Sequence, residues 1–168
     1  MGFDRQPSLN GRLVQVRPLR RDDYAVLYAI ASDPLIWEQH PVKSRHREPE
    51  FKEFFAQSLA SGGALLVLHA RTQEVIGSSR FHGYSESRNE VEIGWTFMAR
   101  SHWGGEYNRE LKQLMLRHAF QFVDSVVLYV NEGNTRSQRS VEKIGGVLQP
   151  GRDTQGRLVY RIAAATHT

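Results

Sequence analysis

Residues 90–107 read EVEIGWTFMARSHWGGEY, and the succession of patterns in this stretch decides the architecture. Val91, Ile93, Trp95 and Phe97 alternate with Glu92, Gly94, Thr96 and Met98, the period of two expected of a strand, so each set takes one face. A carboxylate then stands beside an empty glycine position. After Arg100-Ser101-His102-Trp103 the chain meets Gly104-Gly105 and changes to helical spacing, with Tyr107, Leu111, Leu114, Met115, His118 and Phe122 on one side. A helix that starts directly after a glycine pair turns its unpaired N–H groups and its positive dipole end into a loop with little side-chain bulk. Such a start binds anions, pyrophosphate especially. Gly104 and Gly105 let the backbone come close to phosphate, and Arg100 and His102 stand by as further donors.

Working outward, residues 12–19 alternate as a strand, and Arg21-Asp22-Asp23 precedes a helical face of Tyr24, Leu27, Tyr28 and Ala31 that Asp33-Pro34 closes. A loop holding Trp37, Glu38, His40 and Pro41 leads to a second helix over about 48–60, stopped by Gly62-Gly63. Strands follow at 64–70, 75–82 and 90–98, separated by polar turns. Beyond the decisive helix come a strand at 125–130, a helix opened by Asn134 and ended by Gly145-Gly146, and short strands at 147–149 and 157–163. This order predicts one α/β (α+β) domain over 1–168, with a mixed, mostly antiparallel sheet of six to seven strands and helices on both faces. The ends, 1–10 and 164–168, are expected to be loose.

The 168 residues, 40% hydrophobic and 24% charged, suffice for one core and a pocket. The absence of cysteine excludes disulfides, thiolate metal sites and a cysteine nucleophile, and fits a cytoplasmic protein. The first residues lack the apolar core of a secretory signal, and no apolar run is long enough for a bilayer, so no membrane association is expected. Eighteen of the 22 basic residues are arginine, and the net charge is +4. They are scattered, and no zinc-finger spacing or RNP-type strand accompanies them, which argues against nucleic acid as the main partner. No His/carboxylate spacing points to a metal.

A second informative stretch is residues 131–137, NEGNTRS, where a strand ends and a helix begins. The plain reading is that Asn134 and Ser137 cap that helix. Taken with the first stretch, however, the run from Glu92 to Phe97, then Trp103-Gly104-Gly105-Glu106-Tyr107, Glu110, Asn134-x-x-Ser137 and Glu142 to Gly145 resembles the signature of the GNAT acetyltransferases. It looks closest to the branch that acetylates ribosomal-protein N-termini, and the likeness covers roughly residues 12–150.

The resemblance implies an N-acetyltransferase that uses acetyl-CoA as co-substrate. It places acetyl-CoA in a cleft where strand 90–98 splays from strand 125–130, the fourth and fifth of the strands read above. The pantetheine arm would pair with backbone at Phe97 and Met98, and the pyrophosphate would rest on Trp103, Gly104, Gly105, Glu106, Tyr107 and Asn108. Asn134 would hold a pantetheine amide, and Trp37, Glu38 and His40 would lie near the acceptor mouth. Two positions depart from the family pattern. Glu106 stands where many relatives have the second glycine of the phosphate loop, and Val141 stands where many have a tyrosine that protonates the leaving thiolate.

Acetyl transfer to an amine needs a base for the ammonium proton and donors for the thioester oxygen. Glu92 is the candidate base, against a plain reading as a solvated strand carboxylate. Backbone N–H groups beside a strand distortion near Phe97 and Met98 are candidate oxyanion donors, and Ser137 is the candidate acid. His82 and His118 read as packing or exposed histidines. The acceptor is expected to be an amine of a small molecule, amino acid or peptide N-terminus, attacking directly in a ternary complex. A homodimer is compatible with the sequence, which does not fix the oligomeric state. The competing expectations are an acyl-CoA-binding or protein-interaction module of the same fold without turnover, suggested by Glu106 and Val141, and a basic ribosome- or nucleic-acid-associated protein, suggested by the arginines.

Overall fold

The computed structural model describes residues 2–166. Strands β1 (Leu9–Asn10) and β2 (Val14–Pro18) are followed by helices α1 (Tyr24–Ala31) and α2 (Glu48–Ser61). Next come β3 (Ala64–His69), β4 (Val75–Ser85) and β5 (Glu90–Met98), then α3 (Glu106–Ala119), β6 (Ser125–Val130), α4 (Thr135–Lys143), β7 (Val147–Leu148) and β8 (Leu158–Ala163). The strands form one sheet in the order β1-β2-β3-β4-β5-β6-β8-β7. Every neighbouring pair is antiparallel except β5 and β6, which are parallel and are joined through α3, the crossover that parallel strands require.

The sheet separates two hydrophobic clusters. Leu65 and Val67 of β3 face a core shared with Leu111, Met115 and Leu116 of α3 and Val141 of α4. Ala64 and Leu66 of the same strand face Leu27 and Ala31 of α1 and Phe51, Phe54 and Phe55 of α2. The chain thus forms one α/β domain with helices on both faces, as expected. Among the described residues no helix is long and apolar enough to cross a membrane.

The sheet has eight strands rather than six or seven, because β1 lies in the stretch expected to be loose. From Phe3 onward that expectation is corrected. The Phe3 ring is buried and sits 5.1 Å from Phe81, 5.4 Å from Tyr84 and 5.3 Å from Phe122, so burying one aromatic ties the N-terminal segment down. Asp4 accepts a hydrogen bond at its carbonyl from His118 Nε2 at 2.7 Å. At the other end Ala164–Thr166 form a short 3-10 turn, and the part of the expectation that concerns Met1, His167 and Thr168 lies outside the described residues.

Candidate active site

β5 and β6 pair over only three positions, Glu90 with Ser125, Val91 with Val126 and Glu92 with Val127, and then diverge. In the same region β5 bulges against β4. Phe97 pairs with Ser78 but Gly94 with Arg80, so β5 carries one extra residue, and Trp95 takes it up at φ +53°. A bulge bends its strand and leaves backbone groups outside the ladder. It also overturns the simple alternation. Val91, Ile93 and Met98 belong to the α3 side, and Thr96 reaches α3 through Lys112, whereas Phe97 and Trp95 pack on the α1–α2 side. Glu92 therefore shares no face with Thr96 or Met98, because the inserted residue flips every side chain after it.

At the start of α3, Gly104 and Gly105 hold φ of +106° and +123°, conformations open to glycine, and an added Cβ at either would meet nothing within 4 Å. The first-turn amides thus face an uncrowded approach, a cradle that suits a diphosphate. His102, Tyr107 and His69 pin this loop by ring contacts of 4.8 Å and 5.7 Å. Glu106 is exposed at the first turn, where a carboxylate also favours the helix dipole. Arg100 donates to the Asp33 carboxylate and holds that carboxyl below its usual range, so it is no longer a free phosphate donor. Glu110 accepts from Leu13 N at 2.7 Å and Val14 N at 3.0 Å and acts as a clasp between α3 and β2.

Where the strands part, Trp103 donates from Nε1 to the Met98 carbonyl at 2.8 Å and touches the hydrophobic clusters of both faces. The Arg136 guanidinium stacks 3.7 Å from its ring centroid. Asn134 is buried and its Oδ1 accepts from Ser137 N at 3.1 Å, the helix cap of the plain reading. The Ser137 hydroxyl has no hydrogen-bond partner among the described residues and so is left to serve another group. Val141 is buried in the core, one turn further along α4, and offers no acid.

Glu92 is partly buried, and its Oε2 lies 3.0 Å from where a Gly94 side chain would begin. Burial pushes its carboxyl up to about 7, against the pull of Arg157 and Arg80 and with a push from Asp153. Around it stand His82, paired with it across the ladder, and Arg80, paired with Gly94. Trp95 completes this face, its ring 5.0 Å from His82 and 4.2 Å from the Arg80 guanidinium carbon. Of the expected acceptor residues, His40 is partly buried and its imidazole is pushed down to about 4 by burial, then by Arg45 and Arg136, so it is neutral at pH 7. Trp37 is a core anchor rather than an open wall, 1% exposed and donating from Nε1 to the Ala31 carbonyl, and Glu38 is exposed.

Three cations escaped the sequence reading. Arg45 and Arg80 lie beside this face, and Lys112 lies beneath β5. Lys112 Nζ donates to Thr96 Oγ1 at 3.0 Å and Asn108 Oδ1 at 3.2 Å, has no carboxylate partner among the described residues, and is pushed down by burial to about 8. Folding disfavours its charged form, so it destabilises the chain fully below about pH 8 and less as the pH rises toward the ordinary 10.5. Lys112→Met is expected to add about 1–3 kcal/mol at pH 7, a rise of roughly 2–12 °C in thermal midpoint. Thermal unfolding at pH 7 and pH 9.5 checks this: the gain should shrink at the higher pH, and a lower midpoint for the variant at both would show that its two hydrogen bonds outweigh its burial.

The family model described as Acetyltransferase (GNAT) domain matches residues 14–147. Among solved structures, an acetyltransferase of Agrobacterium tumefaciens is 27% identical at a TM-score of 0.74, covering 93% of this chain and 94% of that one. A probable GNAT acetyltransferase of Chromobacterium violaceum is 18% identical at a TM-score of 0.83, covering 96% and 88%. Mycobacterium smegmatis RimJ, solved in complex with CoA-disulfide, is 19% identical at a TM-score of 0.73, covering 95% and 87%. No curated protein matches the chain.

Proposed function

Since the chain belongs to the GNAT acetyltransferase family, we propose that it moves acetyl from acetyl-CoA directly onto a primary amine within a ternary complex. The observation that carries this reading is the Glu92 carboxyl, raised to about 7, beside the point where β5 and β6 part. A base with that affinity is half in its charged form near neutrality and can still accept a proton efficiently.

The first-turn amides of α3 behind Gly104 and Gly105 bind the diphosphate, and the bulged edge of β5 near Phe97 and Met98 offers backbone to the pantetheine arm. That a structural neighbour, Mycobacterium smegmatis RimJ, is solved in complex with CoA-disulfide supports coenzyme A as the kind of ligand involved. Acetyl-CoA supplies the activated acyl carbon and the thiolate leaving group. Glu92, directly or through a water, takes the ammonium proton, and backbone N–H groups at the bulge meet the charge that develops on the thioester oxygen. Ser137, whose hydroxyl has no hydrogen-bond partner among the described residues, delivers a proton toward the thiolate, and Asn134 both caps α4 and presents its amide to the arm.

The expected result is a rise in thermal midpoint with coenzyme A or acetyl-CoA, and saturable release of free thiol when an amine panel is added. No stabilisation by either nucleotide would overturn the assignment. Stabilisation without thiol release across the panel would identify an acyl-CoA-binding module instead.

A further inference from the structure

Two arginines on the α1–α2 side of the sheet, Arg80 buried and Arg45 partly buried, stand without an ion-pair partner among the described residues. Arg80 is 5% exposed, the only hydrogen bond of its guanidinium among the described residues is to Ser58 Oγ at 2.7 Å, and its Nε is buried with no partner among them. Arg45 comes from the turn Lys43–His46 and lies over the same ring, the guanidinium carbons standing 4.7 Å (Arg45) and 5.9 Å (Arg80) from the Phe54 centroid. Neither belongs to an ion pair among the described residues, whereas Arg17, Arg100, Arg157 and Arg161 all do. Two like charges held close together, one of them buried and the other partly so, are costly unless something anionic completes them. The stacking on Phe54, Trp37 and Trp95 offsets part of that cost, and the Ser58 hydroxyl answers one Arg80 nitrogen, but no carboxylate among the described residues stands within ion-pair distance of either guanidinium.

Their position gives the cost a purpose. Arg80 pairs across the ladder with Gly94, two residues along β5 from Glu92, so the guanidinium and the candidate base start roughly 7 Å apart on one face. We infer that the acceptor amine carries a carboxylate a few bonds from its nitrogen, which Arg45 and Arg80 hold while the nitrogen faces Glu92. This rests on the acetyltransferase reading and narrows it to aminocarboxylates, whether free amino acids or peptides whose first residue is acidic. The same charges disfavour polyamines, whose additional ammonium groups would meet them. His40, neutral beside Arg45 and Arg136, adds no charge of its own at pH 7.

The test pairs each acid with its neutral counterpart under saturating acetyl-CoA: aspartate with its diamide, and aspartyl-alanine with asparaginyl-alanine, with spermidine as the cationic amine. The acid of at least one pair should show a kcat/KM at least about tenfold higher than its partner, the pair that does so identifying the source. In Arg45→Gln that ratio should fall below about threefold through KM for the acid, while KM for acetyl-CoA stays within about twofold. Arg80→Gln should do the same if its thermal midpoint shows it folded; otherwise Arg45→Gln decides alone. Succinate, which has no amine, supplies a readout independent of turnover: it should raise the midpoint of the wild type and do so less in Arg45→Gln. Equal or better use of the neutral partners or spermidine would overturn the inference and leave the acetyltransferase reading intact, as would an Arg45→Gln variant with an unchanged ratio. Failure of acetyl-CoA to stabilise the chain would sink the acetyltransferase reading, and the succinate shift would still decide whether the anion site exists.

Discussion

Glu92→Gln is expected to lower kcat/KM by about 10²–10³-fold with little change in KM for acetyl-CoA, and to flatten the acidic limb of the pH profile. The wild-type profile should rise with pH and level off above about 7, because the carboxyl is lifted from 4.5 to about 7 and only its deprotonated form accepts a proton. Stability runs the opposite way. A carboxyl whose folded value is raised favours the fold fully below its ordinary value near 4.5, and that contribution is lost as pH climbs through about 7. Above neutrality the wild type therefore holds a partly buried charge that glutamine does not. At pH 8 the variant should have a thermal midpoint equal to or above that of the wild type. The combination of lost turnover and retained or improved stability separates a base from an ordinary ion-pair carboxylate, whose removal would lower the midpoint and spare the rate. Activity within about fivefold of wild type would remove Glu92 from the mechanism.

The sequence carries this site unevenly, and the reason lies in which contacts are local. Gly94 beside Glu92 and the glycine pair before α3 are short-range features, so the carboxylate over an empty position and the open helix start are legible in the order of residues alone. The faces of β5 are not. Nothing in Gly94-Trp95-Thr96 announces an inserted residue, since the residue at positive φ is a tryptophan, among the least suited to it. From Trp95 onward a strict period of two therefore assigns the wrong face. Arg45 and Arg80 converge only through the stacking of α2 on the sheet, a tertiary fact invisible at a separation of tens of residues. Two further signals do stand in the sequence. Lys112 lies between Leu111 and Leu114 on a helix that also buries Met115, Leu116 and Ala119, and Phe3 is a large aromatic in a stretch otherwise read as loose. Each marks a place where a residue type contradicts its predicted surroundings.

Gly77→Ala should be strongly damaging for a single added methyl, lowering stability by about 3 kcal/mol or more and the thermal midpoint by roughly 6–12 °C. The added Cβ would stand 2.3 Å from the Phe97 carbonyl oxygen and 3.1 Å from Met98 Cα, and both are backbone atoms of the strand that Gly77 faces. No rotamer relieves a clash with main chain, and Ile76, Ser78, Phe97 and Met98 are all buried around it, so β4 and β5 must move apart. The opposite edge of that segment of β5 is the one that faces the gap toward β6. Displacing it by even a fraction of an ångström should raise KM for acetyl-CoA by about tenfold in whatever fraction remains folded. Gly133→Ala is the matched control for stability, because its Cβ would meet only the Asn131 side chain at an ordinary 3.6 Å. That variant should stay within about 0.5 kcal/mol of the wild type. A Gly77→Ala protein with an undisturbed midpoint would mean that β5 can slide on β4 without loss. In that case the rigid bulge at Trp95, on which the placement of Phe97 and Met98 depends, would not be the fixed edge that acetyl transfer requires.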